Sequence, residues 1–240
     1  MRTKRFLIGT CVVVGAMVVP STAFGLTANQ TIDAILGGKT TPKFDKKKFK
    51  GTSIEVTTTT ADSANPSGMP PKANNARITF DKKDMKFDPS AAPTCSASQI
   101  SGTTTEAALA VCGSAKVGEG DAMAALPFGV GGARQDFPAV VTAFNSADQK
   151  GILLHSRVGA PLNTTTTLVG TLSGTVLNVV VPPLGGGIGA ISLFHTTVKA
   201  GKYVQGRCKS KTIHTDSVFS FNDAPDAQAT DSQKCKQKKS

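Results

Sequence analysis

The chain has 240 residues, with 27 Lys plus Arg against 16 Asp plus Glu, five Cys, three His, one Tyr and no Trp. A formal charge of +11 points either to an anionic partner or to solvated basic faces. A single Tyr without Trp is a poor stacking platform for single-stranded nucleic acid, so no nucleic-acid partner is expected.

Residues 1–25 read as a signal peptide. Arg2, Lys4 and Arg5 form a basic start, and Phe6 to Val19 is an apolar run of 14 residues, short of the roughly 20 that span a bilayer. Gly9 and Gly15 interrupt the run, which argues against an uncleaved anchor helix. Cleavage is placed after Gly25, with Ser21-Thr22-Ala23 as the alternative. The remaining chain keeps 24 basic against 16 acidic residues, a net +8. Nine of the 24 form two runs: Lys43, Lys46, Lys47, Lys48 and Lys50, then Lys234, Lys236, Lys238 and Lys239. These are the candidate residues for an anionic surface, either cell-wall polymer or lipid headgroups. The competing reading is a pair of solvated ends.

Residues 26–50 read as a flexible arm contributing at most one edge strand. Thr31 to Leu36 suits a short helical turn stopped by Gly37-Gly38. Ser53 to Thr60 is β-branched and reads as a strand. Asp62 to Lys72 holds Asn-Pro, Ser-Gly and Pro-Pro, a long loop. Arg77 to Phe80 and Met85 to Phe87 are two further strands. Asp81, Asp84 and Asp88 are interleaved with lysines and lack the spacing and glycine of a calcium loop.

Cys95 to Gly120 holds the one convincing helical patch. Ser96 to Ile100 suits one turn. Thr104 or Thr105 can cap a second helix at Glu106 to Val111, because a threonine oxygen accepts from the unpaired first-turn amides. Glu106 suits the positive helix end. So short a helix needs outside support, expected from a disulfide and from packing of Leu109 and Val111. The patch reads as a clasp across one end of the fold. Lys116 to Met123 follows as a strand, glycine-rich where another backbone comes close. Gly118-x-Gly120 is no dinucleotide loop, since Met123 stands where its third glycine would be.

Leu126 to Asp136 is a glycine-rich loop. Strands then recur at Pro138–Phe144, Ile152–Arg157, Thr164–Val169, Val176–Val181, Ile188–Val198, Tyr203–Cys208, Ile213–Phe221 and Gln228–Cys235. Within Ile213–Phe221 one face carries Ile213, Thr215, Ser217, Phe219 and Phe221. Short strands joined by Gly, Pro and Asn turns give an all-β chain, expected as a two-sheet β-sandwich over residues 51–240 with a basic C-terminal tail.

With Cys11 removed in the signal, Cys95, Cys112, Cys208 and Cys235 remain. An even number in an exported chain implies disulfides. Three pairings are open; the local ones, Cys95–Cys112 and Cys208–Cys235, are favoured. They enclose 16 and 26 residues, each worth about 3–4 kcal/mol in the chain-entropy model. No Cys-x-x-Cys pair or nearby His supports zinc.

The search for chemistry returns little. There is no Gly-x-Ser-x-Gly elbow, and Gly170-Thr-Leu-Ser173-Gly174 has the wrong spacing. His155, His195 and His214 fall in separate strands. No catalytic residue, metal or cofactor is assigned.

Taken as an ordered set, Cys112 to Gly118, Pro138 to Asn145, Ile152 to Arg157, Val181 to Leu184 and Ser232 to Cys235 resemble an uncharacterised group of exported proteins of actinobacteria. The resemblance implies a bacterial, exported, β-rich protein and carries over no activity. The leading expectation is a noncatalytic protein that is secreted or held at the cell envelope. Two alternatives stand beside it: a secreted hydrolase with a dispersed His/Asp site, and a β-sandwich carrier of an apolar ligand.

Overall fold

Alternation of apolar and polar residues runs through the strands of the computed structural model, which describes residues 26–38, 42–199 and 201–238. The expected signal segment, residues 1–25, lies outside them. Strands β1 (Ala28–Leu36), β2 (Lys50–Thr52), β3 (Ile54–Asp62), β4 (Ala73–Phe80) and β5 (Met85–Phe87) come first. Helices α1 (Ala97–Ile100) and α2 (Thr105–Cys112) follow. Next are β6 (Lys116–Leu126), β7 (Gln135–Asn145), β8 (Gly151–Val158), β9 (Thr164–Ser173) and β10 (Val176–Val180). The last are β11 (Ala190–Val198), β12 (Val204–Gly206), β13 (Thr212–Phe221) and β14 (Ala227–Lys234). The chain is all-β apart from the helical insert, and the strand positions agree closely with the sequence pattern.

Eleven strands form one antiparallel sheet, ordered β1-β3-β11-β6-β7-β8-β9-β10-β4-β13-β14. A second sheet holds only three, β2-β12-β5. The large sheet wraps until its ends meet. No ladder joins β1 to β14; side chains make the join. Asp231 accepts a hydrogen bond from the Ala34 amide at 3.0 Å, and Gln233 accepts one from Leu36 at 2.7 Å while donating to the Leu36 carbonyl at 3.2 Å.

The stretch 28–36 forms the one edge strand that the sequence allowed, at an end of the sheet order, and not the helical turn expected at Thr31 to Leu36. Ile32, Ala34 and Leu36 alternate into the core, and β1 pairs with β3 over its whole length. The same period puts Ile213, Thr215, Ser217, Phe219 and Phe221 on the buried face of β13, as expected. Gly118 and Gly120 on β6 lie where a Cβ would collide with the Thr197 and His195 carbonyls of β11, which is the close backbone approach expected there.

Register gives the wrapped sheet two distinct ends. One carries the loops 63–72, 127–134, 159–163, 181–189 and 222–226. The other carries the three-stranded sheet, residues 42–49 and residues 235–238.

Both favoured disulfides are present, Cys95–Cys112 and Cys208–Cys235. The helical insert does not cross an end of the fold. It lies on the outer face of the sheet, where Cys95, Ile100, Ala108, Cys112 and Ala115 pack against Phe144 of β7 and Leu153 of β8. Thr104 caps α2 by accepting from the Ala107 amide at 3.2 Å. Val111, expected to pack, is 60% exposed; Ala108 and Cys112, one helical turn apart, make the buried face instead. Buried Asn145 anchors the approach by donating to the Pro89, Ala92 and Pro93 carbonyls.

Candidate functional site

The wrapped sheet encloses a cavity of about 100 Å³. Inward positions of successive strands build its wall: Ile54 and Val56 on β3, Ile78 and Phe80 on β4, Leu154 on β8 and Phe194 on β11. Phe87 and Tyr203, from the region of the second sheet, close it toward the basic end. No charged side chain lines it. Its few hydroxyls are partly bound within the wall: Thr60 donates to Gln30 at 2.6 Å and Tyr203 to the Gly151 carbonyl at 3.0 Å. Burial pushes the Tyr203 phenol well above its usual pKa, so it stays neutral. An apolar cavity of comparable size, about 150 Å³ in a well-studied engineered case, stays dry and takes up small apolar molecules.

A second cavity of about 110 Å³ lies toward the loop end. Leu168 and Ile191 belong to the walls of both, so the two are neighbours. Its wall includes Phe128, Leu162 and Leu184, with Ser156, Thr164 and Thr166 as polar members. The two glycine-rich loops of the sequence border it. Gly185 takes φ +54°, and a Cβ there would meet Leu126 at 2.6 Å, so the 181–189 loop needs glycine to sit down on the rim. Phe128 is half exposed and Val130 fully exposed beside this rim.

The basic runs are ordered neighbours rather than separate ends. Phe44 donates to the Lys236 carbonyl and accepts from the Lys238 amide, both at 2.8 Å. Asp45 accepts from the Lys47 and Lys48 amides, which lowers its pKa, with Lys48 the larger cause. Arg207 stacks on Phe49 at 4.2 Å and donates to the Lys83 and Lys47 carbonyls. Lys43, Lys46, Lys47, Lys48, Lys50, Lys234, Lys236 and Lys238 are all exposed on this end. Lys239 lies outside the described residues. The basic tail is held by Cys208–Cys235, as favoured from the sequence, and by two main-chain hydrogen bonds to Phe44.

The histidines do not share a pocket. His195, on the outer face, has Asp121 at 2.9 Å from Nδ1 and Glu55 at 3.3 Å from Nε2. Each ring nitrogen thus faces a carboxylate. His214 pairs with Ser232 at 2.8 Å. Asp81, Asp84 and Asp88 each bond within the chain, to Lys83, to Lys209 with Ser210, and to Ser90 respectively. Among the described residues, no group of three His, Cys, Asp or Glu is placed to hold a metal, and no helix is long and apolar enough to cross a membrane.

His155 sits fully buried between β8 and the helical insert. Nε2 lies 3.1 Å from the Thr103 carbonyl, while Nδ1 has no partner. Desolvation lowers its pKa below the ordinary 6.5, and the Arg157 charge adds to this against the Thr103 bond. The unfolded chain therefore binds a proton that the native state refuses. The contribution to stability is complete above about pH 6.5 and is lost as pH falls toward the native pKa. Urea midpoints at pH 7.5 and 5.5 should show this acid loss, and H155Q should reduce it; an unchanged slope in H155Q would assign the loss elsewhere.

The sequence points to the basic residues and to the glycine-rich loops as binding places; those loops border the second cavity, while the residues that wall the first carry no such mark. The available signal was the period-two apolar pattern of β3, β4, β8 and β9, which marks inward faces without showing whether they meet. Comparison with known proteins found no matching family model, no matching curated protein and no matching solved structure.

Proposed function

We propose that this is a noncatalytic exported protein that holds an apolar ligand inside its wrapped sheet. The observation that carries this is the interior cavity, walled by aliphatic and aromatic side chains from eight strands and free of charge. In this reading the large sheet works as a barrel-like container and the three-stranded sheet as its floor, in place of two sandwich layers facing each other. The signal-like start, the paired cysteines and the resemblance to exported actinobacterial proteins support export.

The test is titration with N-phenyl-1-naphthylamine, an uncharged dye that brightens in apolar surroundings. Saturable binding at one site per chain is expected, and Val56→Trp, which fills the cavity, should weaken it by at least roughly tenfold. Absence of saturable binding in the unaltered protein overturns the reading.

A second reading concerns the basic end and rests on the Phe44 bonds that bring the two lysine runs together. This end would adhere to anionic wall polymer. Release of the protein from envelope material should rise steeply with salt, and removal of residues 234–240 should abolish retention.

A further inference from the structure

Resting on the container reading, we propose a specific ligand class: a single-chain lipid with an uncharged, hydrogen-bonding head. Its tail would lie in the inner cavity and its head in the outer one.

Three observations converge on this. First, the two cavities differ in chemistry along one line. The inner wall is almost wholly hydrocarbon, whereas the outer wall adds Ser156, Thr164 and Thr166. None of these three hydroxyls has a side-chain hydrogen bond among the described residues, so they are available to a head group. Second, the two chambers adjoin at Leu168 of β9 and Ile191 of β11. A ligand that fills both chambers must pass these two side chains, which suits a linear chain better than the rigid four-ring skeleton of a sterol. Third, neither wall includes a charged side chain, so a carboxylate or phosphate head would be left unpaired on leaving water. Arg157, beside Ser156, donates to Thr165 at 3.0 Å on the outer face of β8, and Arg134, in the loop with Phe128, is paired with Asp136 at 2.8 Å. An alcohol, amide or ester head meets no such penalty.

The rim fits the same ligand. Phe128 lines the outer chamber, and Val130 and Ile188 are exposed on the same two glycine-rich loops. They offer a sliding apolar surface from which a tail can pass inward. The basic residues lie at the opposite end, away from this access.

The experiment is displacement of bound N-phenyl-1-naphthylamine from the full-length protein by unbranched 1-alkanols of increasing length. Affinity should rise roughly fourfold per added methylene until the inner chamber is full, then level off. The fatty acid of matching length should displace at least roughly tenfold less well, and a sterol should not compete. Leu168→Trp, narrowing the junction, should keep short-alkanol binding and remove the gain with length; Ile191→Trp tests the same junction from the facing strand. Ser156→Ala with Thr166→Val should weaken alkanols about fivefold and leave the dye unaffected. Dye binding with no displacement by alkanols, a flat dependence on chain length, or stronger displacement by the sterol or the acid overturns this assignment while the container reading stands. Failure of the dye itself to bind overturns the container reading.

Discussion

Replacing Asp84 by Ala should lower stability by about 3–5 kcal/mol. Asp84 is fully buried at the basic end, where its carboxylate accepts from the Lys209 and Ser210 amides. Hydrogen bonds to a charged acceptor are worth about 1.5–3 kcal/mol each, and truncation removes the acceptor of both the Lys209 and the Ser210 amide. The effect should spread beyond the site. The turn that Asp84 holds carries Cys208, and Cys208 ties down the segment bearing Lys234, Lys236 and Lys238. Urea unfolding gives the energy, and amide exchange at Lys209 and Ser210 gives the location. Asp84→Asn keeps one acceptor oxygen and should lose less than half as much. Asp81→Ala, which removes one exposed bond to Lys83, should cost under about 1 kcal/mol. Equal costs for Asp81→Ala and Asp84→Ala would refute the account.

The second large effect is expected for the double variant Cys95→Ser, Cys112→Ser. Freeing a loop of this length costs about 3 kcal/mol in the chain-entropy model. Without the disulfide, the insert rests on the packing of Ile100, Ala108 and Ala115 against Phe144 and Leu153 and on the Asn145 bonds, because α2, at eight residues, is too short to hold on its own. Its detachment would also uncover His155. Once hydrated, that imidazole recovers an ordinary pKa, and the acid-linked loss of stability should shrink in the double variant as it does in H155Q. A double variant that loses stability but keeps the full pH 7.5-to-5.5 difference would show that the insert stays seated without its disulfide. Unfolding curves at the two pH values read both quantities at once.

Much of the fold is legible in local pattern. Alternation marks β13 residue by residue, turn residues mark the hairpin ends, and threonine before Glu106 marks the start of α2. Those signals are short-range, and what escapes them is long-range. Phe44 meets Lys236 and Lys238 across nearly the whole chain, so two charge runs that look like loose ends in the sequence become one face. Val111 looks like a packing residue because it is apolar, but the helix turns Ala108 inward and leaves Val111 in water. The cavity escapes for a related reason. An inward-facing Leu has the same local pattern whether it touches its opposite number or stops short of it, and only the curvature of the closed sheet decides which.

The join between β1 and β14 bears on self-association. A strand edge with free amides recruits further strands, and repeated recruitment makes fibres. Asp231 and Gln233 occupy the Ala34 and Leu36 amides that would otherwise serve as such a template. They do so from positions where an apolar residue would have invited a second copy of the chain to add its own strand. Two polar side chains thus break the row of free donors on this edge at its middle and its end, where a polymer would otherwise grow.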